Sequence, residues 1–374
     1  MKWEKGNVFD LCDINPENIS KNYPHDFIRY YDITSVGSGV ATINDEIPLS
    51  EAPSRAKRVV RNDDTILATV RPGNRSFYYF KSAFENSIAS TGFAVLRPKV
   101  DKADPRFLYY LVSEPGFTAY LVAYEQGANY PAVNPNIIGG KPIEFPPLPT
   151  QRKIASILSA YDDLIENNLK RIKLLEEKAF ANYKLIVQNE KLEECTIEEL
   201  ANVVMGQSPT SDTYTNEKED NLPFHQGVTN FSNYFVEHKI YCKTSIKIAE
   251  EGDILFSVRA PVGRINFTSD KICIGRGLCA FRSKKGFQNY FYHQLKEFFF
   301  TEDVIGNGAI FNAVTKVELM KVKLKTPSEK IQQEFEVEAH QMYKLILNLT
   351  KQNTKLREAR DILLPKLMNG QIKV

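Results

Sequence analysis

The second half of the chain repeats the first half at a nearly constant spacing. Identical residues recur 181 positions apart, both in globular sequence and in charged, helix-like sequence. Matched pairs at this spacing include Pro146 and Pro327, Gln151 and Gln332, Leu164 and Leu345, and Leu175 and Leu356. Solenoid repeats have periods of roughly 20 to 50 residues, so this much longer period indicates duplication of a whole domain. Two similar domains in one chain predict two similar targets.

Composition restricts the class of protein. The 374 residues suffice for two domains that each bury a core. No apolar run approaches the roughly 18 residues of a membrane span, and the N-terminus has no apolar signal-peptide core, so we expect a cytoplasmic protein. The net charge of +2 is small, which means that any surface for nucleic acid must be local. The five cysteines lack Cys-x-x-Cys spacing and are expected to be buried free thiols.

Two segments carry the heptad pattern of long helices. Residues 151 to about 188 contain no glycine or proline, and apolar residues recur three and four positions apart. The seam positions of this first helix are Ile154, Leu158, Tyr161, Ile165, Asn168, Ile172 and Leu175. Those of the second helix are Phe335, Met342, Ile346, Leu349, Asn353 and Leu356. Pro365 and Gly370 are predicted to end the second helix.

A seam of this length needs a partner. At 1.5 Å per residue, helices of about 35 to 38 residues extend about 50 to 57 Å. The other helix is the obvious partner, and the alternative is that each helix packs on its own globular domain. Each seam holds one polar residue, Asn168 or Asn353. If the helices run antiparallel with these asparagines opposed, the position numbers of facing residues add to 521.

The remaining sequence predicts two α+β domains. Residues 65–71 and 253–259 have the pattern of corresponding strands at an offset of 188, and residues 93–97 and 278–282 at an offset of 185. Helical stretches follow near residues 105–124 and 287–304. The predicted boundaries are 1–150 for the first domain, 151–189 for the central helix, 190–327 for the second domain and 328–374 for the C-terminal helix.

The sequence shows no convincing catalytic site. Phosphate-binding glycine loops, dinucleotide-binding loops and His-Glu-x-x-His are absent, and the five histidines lack metal-ligand spacing. The segment Asn134-Pro135-Asn136-Ile137 weakly resembles the Asn-Pro-Pro-aromatic signature of amino-methyltransferases, but a loop at the end of a strand explains it better. We therefore predict no catalytic residue, no metal site and no cofactor.

Local positive charge suggests contact with DNA instead. Cations interleaved with amides suit phosphate contact and the reading of base edges. The candidate DNA-binding residues of the first domain are Arg55, Lys57, Arg58, Arg61, Arg71, Asn74 and Arg75. Those of the second domain are Gln207, Ser208, Gln226, Arg259, Arg264 and Arg276, with Arg282 as a further cation. The competing interpretation is an ordinary solvated surface.

One loop recurs in both halves and carries an aromatic residue at its tip. It contributes Asn129 and Tyr130 in the first domain, and Asn307 and Phe311 in the second. The loop either returns the chain to the sheet or faces DNA, and both interpretations stay open.

These repeated motifs resemble the specificity subunit of type I restriction-modification enzymes. The resemblance rests on residues 145–154 before the first helix, Ile165-Glu166-Asn167-Asn168 within it, residues 90–97 and 253–259 in the strands, and residues 363–370 at the C-terminus. It covers essentially the whole chain. One departure is the start of the domains, where residues 197–200 open the second domain and Val8-Phe9-Asp10-Leu11 open the first differently.

The resemblance implies a fold and a set of partners. The fold would be two α+β target-recognition domains in a pseudo-twofold arrangement, joined by two long antiparallel coiled-coil helices. Each domain would read one half of an asymmetric, interrupted site in double-stranded DNA. Two modification subunits that methylate adenine would dock on this scaffold, and restriction subunits would add translocation and cleavage. The chain itself would be non-catalytic.

Two other classes of function remain open on the sequence. One is a DNA methyltransferase with duplicated recognition domains, which would bind S-adenosylmethionine. The other is a coiled-coil adaptor that does not bind DNA.

Overall fold

The chain folds into two compact units. A computed structural model describes residues 3–42, 45–127, 131–232, 234–300 and 313–374. Unit 1 comprises Met1–Glu166 and Asn353–Val374, and unit 2 comprises Asn167–Gln352. Each long helix therefore contributes one segment to each unit, whereas the boundaries predicted from the sequence assigned the helices to separate segments.

The elements of unit 1 come from both ends of the chain. Its strands are β1 Glu4–Asn7, β2 Cys12–Ile14, β3 Phe27–Tyr31, β4 Ile47–Pro48, β5 Ala56–Val59, β6 Thr65–Ala68, β7 Phe77–Tyr79, β8 Ser87–Ser90, β9 Phe93–Pro98 and β10 Pro142–Phe145. Its helices are α1 Val8–Leu11, α2 Pro105–Ser113, α3 Pro115–Ala123, α4 Pro135–Gly139 and the first half of α5 Leu148–Asn189. Pro115 begins α3, so the single helical stretch predicted there is two helices.

Unit 2 repeats this order of elements. Its strands are β11 Glu193–Thr196, β12 Ala201–Met205, β13 Tyr214–Thr215, β14 Leu222–His225, β15 Tyr241–Cys242, β16 Ile248–Ala249, β17 Ile254–Ser257, β18 Ile265–Phe267, β19 Ile272–Ile274, β20 Leu278–Ser283 and β21 Lys323–Thr326. Its helices are the second half of α5, α6 Ile197–Leu200, α7 Gln288–Phe300, α8 Lys316–Met320 and the first part of α9 Glu329–Met368. The predicted α+β class is confirmed in both units.

The sheets of the two units share one topology, except that unit 2 has the additional edge strand β13. Unit 1 has sheets of order β2-β9-β6-β7 and β4-β3-β8-β5, and unit 2 has β12-β20-β17-β18 and β13-β15-β14-β19-β16. In each unit one parallel pair, β3 with β8 or β14 with β19, lies among antiparallel strands. Each unit also has a separate two-stranded ribbon, which pairs β1 with β10 in unit 1 and β11 with β21 in unit 2. The duplication inferred from the sequence is thus a duplication of the fold.

The two units also open with the same structural motif, although residues 8–11 and 197–200 differ in sequence. The carboxylate of Asp10 accepts a hydrogen bond from the N–H of Asn7 at 2.7 Å, and Glu199 accepts one from the N–H of Thr196 at 2.7 Å. Both short helices therefore begin with the same kind of cap. The sequences look different because each capping role is filled by a different polar residue.

Strand pairing corrects the offset between the two domains. Ala68 of β6 pairs with Phe93, and Ser257 of β17 pairs with Leu278. Phe93 and Leu278 are counterparts, because they begin the two strands matched at an offset of 185. Their pairing partners Ala68 and Ser257 are therefore counterparts too, at an offset of 189. The offset of 188 predicted from sequence similarity is one residue too small.

The correction changes which arginines correspond. Val70 forms a bridge with Ala132, and Arg259 forms the same bridge with Ala313. Arg259 is therefore the counterpart of Val70, and Arg71 is not. A Val-Arg pair in both sequences suggested the wrong register, and a shift of one residue in a strand places side chains on the opposite face.

The long helices pack against each other inside each unit. In unit 1, Arg360 of α9 binds Asp162 of α5 at 2.6 Å. In unit 2, Asn182 of α5 donates to Glu338 of α9 at 3.0 Å. The position numbers of these pairs add to 522 and 520, as expected for antiparallel helices close to the predicted register. Asn168 and Asn353 belong to different units, so their pairing stays a prediction.

The helix seams also complete the globular cores. Ile154 and Leu158 belong to one apolar cluster with Phe107 of α2 in unit 1. In unit 2, Tyr183 stacks on His293 of α7 with ring centroids 5.4 Å apart. Every predicted seam residue is buried except Tyr161, Leu175 and Leu356, which are half-buried. Packing on the partner helix and packing on the globular domain, posed as alternatives, occur together.

Helix α9 does not end at Pro365 as predicted. It continues to Met368, and Gly370 follows it with φ of +74°. Leu364, Leu367 and Met368 are buried in the core of unit 1. Proline inside a helix lacks an N–H donor, and its ring crowds the carbonyl of residue 361. The apolar packing of the last turn outweighs this local cost, and Gly370 provides the left-handed stop.

The cysteines match the expectation of buried free thiols except at Cys195. All five cysteines are free, and all but Cys195 are buried. No helix in the described ranges has an apolar stretch that would suffice to span a lipid bilayer.

Candidate nucleic-acid interface

In unit 2, several loops meet at one end of β17 and β20, around Gly277. The N–H of Gly277 donates to the carbonyl of Gln226 at 3.1 Å, and the N–H of Val258 donates to the carbonyl of Gly277 at 3.0 Å. The N–H of Gly206 donates to Leu278 at 2.9 Å. We call residues 206–208, 226–227, 258–259 and 275–277 the Gly277 edge. Backbone hydrogen bonds thus hold four separate segments in one place.

This edge gathers most of the residues predicted to bind DNA in the second domain. Gln207, Gln226, Arg259 and Arg276 are exposed, and Ser208 is half-exposed. Arg264 is also exposed and lies on the hairpin next to the edge, where its N–H donates to Ser257 Oγ at 2.8 Å. The structure therefore brings together residues that are up to 69 positions apart in the sequence.

Unit 1 has the equivalent edge around Gly92. The N–H of Thr91 donates to the carbonyl of Arg55 at 2.8 Å, and the N–H of Thr69 donates to Gly92 at 2.8 Å. The N–H of Arg71 donates to Pro131 at 2.7 Å. We call residues 55–57, 69–74 and 91–92 the Gly92 edge. It presents the exposed side chains of Arg55, Lys57, Arg71 and Asn74.

Two predicted contacts of the first domain are turned into the protein. Arg58 Nη1 donates to Asn18 Oδ1 at 2.9 Å, and burial lowers the pKa of Arg58. Arg75 Nη2 donates to the carbonyl of Ser113 at 2.8 Å, which ties its loop to helix α2. Both guanidinium groups therefore have structural partners.

Arg61 lies at the other end of the strands from Arg55. Strand β5 begins beside Ser90, next to the Gly92 edge, and ends beside Ile88. Arg61 follows that far end and binds Glu17 through Nε at 2.8 Å and Nη2 at 2.9 Å. This hydrogen-bonded pair raises the pKa of Arg61. Arg61 thus belongs to an ion cluster away from the candidate interface.

The same far end holds an ion pair that the sequence analysis missed. Arg97 binds the buried Asp64 in two-point fashion at 2.9 and 2.7 Å. In unit 2, Arg282 binds the buried Asp253 at 2.8 Å through both nitrogens. Arg282, predicted as a surface cation, is therefore structural. The sequence did contain a signal for this pair. In both halves an aspartate directly precedes one strand, β6 or β17, and an arginine lies near the end of the strand paired with it, β9 or β20.

The tips of the recurring loops, Asn129, Tyr130, Asn307 and Phe311, lie outside the described residues. The segments that follow them are described. The N–H of Val133 donates to Thr69 at 2.8 Å, and the N–H of Val314 donates to Val258 at 2.9 Å. Each loop therefore leads directly into the edge of its own unit.

The segment at Asn134 is a helix start. The Asn134 side chain accepts a hydrogen bond from the N–H of Asn136 at 2.9 Å, and Pro135 occupies the first turn of α4. Thr315 is its counterpart and caps α8 together with Glu318. The motif is therefore a helix cap, and the loop at the end of a strand expected from the sequence is replaced by the start of α4.

A hydrogen-bonded series of side chains begins at His225, the residue that precedes Gln226. His225 Nε2 is 2.9 Å from His238 Nδ1, and His238 Nε2 is 3.1 Å from Asp270 Oδ2. Burial lowers the pKa of His225 to about 4, so this ring is neutral. Within the described ranges no three His, Cys, Asp or Glu side chains converge as a metal site. The hydrogen bonds fasten β14 beneath the Gly277 edge.

Comparison with known proteins finds one protein family in both halves of the chain. The family model of the type I restriction modification DNA specificity domain matches the chain twice, over residues 1–177 and 189–356. The chain is 30% identical over 304 residues to the type I restriction enzyme MjaX specificity subunit of Methanocaldococcus jannaschii. The match covers 75% of this chain and 71% of the relative. The MjaIX specificity subunit of the same organism is 26% identical over 321 residues, covering 76% and 72%.

A solved structure shares the fold. The S subunit of a type I restriction-modification system from M. genitalium superposes with a TM-score of 0.63 at 16% identity, covering 98% of this chain and 96% of that chain.

Proposed function

The chain belongs to the family of type I restriction-modification specificity subunits, and from this premise we propose that its Gly92 and Gly277 edges each read one half of a bipartite DNA site. A specificity subunit supplies DNA sequence recognition and no catalytic step. The proposed location is the cytoplasm. The observation that carries the proposal is the recurrence of one exposed, amide-bearing and cationic edge in both units.

Charge supports this choice of surface. Within the part of the chain that the structure describes, no carboxylate pairs with Arg55, Lys57, Arg259 or Arg276. Most other candidate cations have internal partners, as Arg58, Arg61, Arg75 and Arg282 do. Unpaired arginine and lysine side chains on one edge are the groups that displace counterions from phosphates. The amides of Asn74, Gln207 and Gln226 lie among them and suit base edges.

The long helices are proposed to hold the partner subunits. Two modification subunits and further restriction subunits are what the family implies. Leu164 and Leu345 are counterparts on the two helices, and both are exposed beside buried isoleucines. Leu174 is 63% exposed. Singly exposed leucines are ordinary on a protein surface, so the proposal that partners dock here rests on what the family implies.

Neutralising the two edges is expected to weaken DNA binding. The variant replaces Arg55, Lys57, Arg259 and Arg276 by glutamine. If each cation contacts a phosphate, the slope of log affinity against log salt falls by about 3 to 4, and affinity falls about 100-fold or more near physiological salt. The measurement is fluorescence anisotropy with random-sequence duplex DNA over a salt series, using the full chain co-expressed with its modification subunits.

A matched control removes equal charge elsewhere. Lys5, Lys271, Lys285 and Lys323 are exposed, lie outside the long helices and are each near a glutamate, so their glutamine variants change the net charge equally. We expect the control to retain most of its affinity and salt slope. Equal losses in both variants would show that general charge, not the two edges, governs binding.

A further inference from the structure

A side-chain hydrogen bond orients Gln226 at the Gly277 edge. Ser208 Oγ lies 2.6 Å from Gln226 Oε1. The N–H of Arg276 in turn donates to Ser208 Oγ at 3.2 Å. A side-chain hydroxyl therefore links three segments that meet at the edge, and each segment contributes one exposed or half-exposed residue.

Glycines let this arrangement close up. A Cβ on Gly275 would lie 2.4 Å from Gln226 Oε1, and a Cβ on Gly277 would lie 2.4 Å from the carbonyl oxygen of Gln226. A Cβ on Gly206 would lie 2.2 Å from the carbonyl oxygen of Gly275. Any other residue at these positions would push the segments apart. The amide oxygen of Gln226 is thus held against the Gly275 backbone, on the protein side of its side chain.

The hydroxyl of Ser208 decides which way the Gln226 amide faces. Ser208 Oγ accepts the N–H of Arg276 and keeps its own proton available for donation. Gln226 Oε1 is the acceptor, and 2.6 Å is short for an N–H···O bond but ordinary for O–H···O. The amide oxygen is consequently engaged inside the edge, and the Nε2 hydrogens are directed away from it.

A glutamine held in this way differs from one that is free to turn. A free glutamine reads adenine in two-point fashion, since its oxygen accepts from N6 while its nitrogen donates to N7. Because its oxygen is turned inward against Ser208 and Gly275, Gln226 presents only the donors of Nε2 at the outer surface. Arg276, on the same edge, also offers donors only. Guanine presents two acceptors, O6 and N7, in the major groove and is the base that matches a pair of donor groups.

Building on the proposed function, we infer that Gln226 selects a guanine in the half-site read by unit 2, and that Ser208 is the positioning residue that fixes its donor orientation. Ser208 therefore contributes to sequence choice without touching DNA.

Three variants test the inference. The full chain, co-expressed with its modification subunits, selects from a pool of duplexes with a randomised segment. Wild-type protein should require guanine at a position of one half-site, and 7-deazaguanine there should lower affinity about tenfold. Ser208→Ala frees the amide to turn, so the preference for guanine over adenine should fall about tenfold. Ser208→Thr retains the hydroxyl and should retain the preference.

Gln226→Glu identifies the half-site. Its carboxylate only accepts, so the preference at that position should move to cytosine or adenine, which present amino groups. Ser211→Ala, an exposed serine nearby, should change nothing. Unchanged selection by Ser208→Ala and Gln226→Glu, with sequence preference intact in the wild type, would overturn the inference alone. A wild-type protein without any sequence preference would overturn the proposed function as well.

Discussion

Replacing Arg97 by alanine is expected to lower the free energy of unfolding by about 3–5 kcal/mol. The side chain of Asp64 is fully buried, and Arg97 supplies its only charged two-point partner among the described residues. Burial raises the pKa of Asp64, and the Arg97 guanidinium partly offsets this effect. Without Arg97, the aspartate would be left with one backbone donor, the N–H of Arg61. Chemical denaturation followed by circular dichroism measures the loss.

Replacing both Arg97 and Asp64 should lower the free energy of unfolding much less than replacing Arg97 alone. Arg97→Met combined with Asp64→Leu takes the buried charge away and fills the space with apolar atoms, which is often nearly neutral. Arg171→Ala, an exposed arginine on α5, serves as the control and should change stability little. The loss in Arg97→Ala should also shrink at low pH, because protonation of Asp64 removes its charge. If the double variant were as unstable as Arg97→Ala, the buried charge would not be the cause.

Acid is expected to destabilise unit 2 through two buried histidines. Burial lowers the pKa of His225 to about 4 and that of His293 to about 3, with the charge of Lys296 adding to the second. The folded state keeps both rings neutral, whereas the unfolded chain protonates them below about pH 6.5. Stability is therefore complete above that pH and falls as the pH drops toward 4. Between about pH 7.5 and 5, each histidine should cost about 2 kcal/mol.

A single substitution isolates this effect. His293 Nε2 is 2.7 Å from the hydroxyl of Tyr343, and the amide oxygen of His293→Gln can replace it as the acceptor. Denaturation at the two pH values should show a drop that is about 2 kcal/mol smaller in this variant. His340→Gln, at an exposed position on α9, is the matched control and should follow the wild type. An equal drop in wild type and His293→Gln would contradict the assignment.

Some features followed from the sequence because they depend on local spacing. The heptad pattern marked which faces of α5 and α9 are buried, since apolar residues three and four positions apart lie on one side of a helix. Alternating apolar runs located β6, β9, β17 and β20. The duplication appeared because the same spacings return in both halves.

Other features depended on which strand ends meet. Arg55 and Arg61 are six positions apart and looked alike, yet β5 lies between them and separates the open Gly92 edge from the ion cluster with Glu17. Sequence similarity aligned Arg71 with Arg259, whereas the hydrogen-bond pairing of the strands makes Val70 the counterpart of Arg259. A strand register is set by its neighbours, so similarity along one strand cannot fix it.

The sequence by itself determined a duplicated α+β protein with two long helices and local clusters of cations. Only the tertiary structure decided which of these cations are exposed without a carboxylate partner among the described residues. That choice depends on acidic partners far away in the chain, such as Glu17 for Arg61 and Asp253 for Arg282. It also depends on three glycines that bring Gln226, Ser208 and Arg276 into contact. Distances between segments decide these contacts, and spacing along the chain does not encode them.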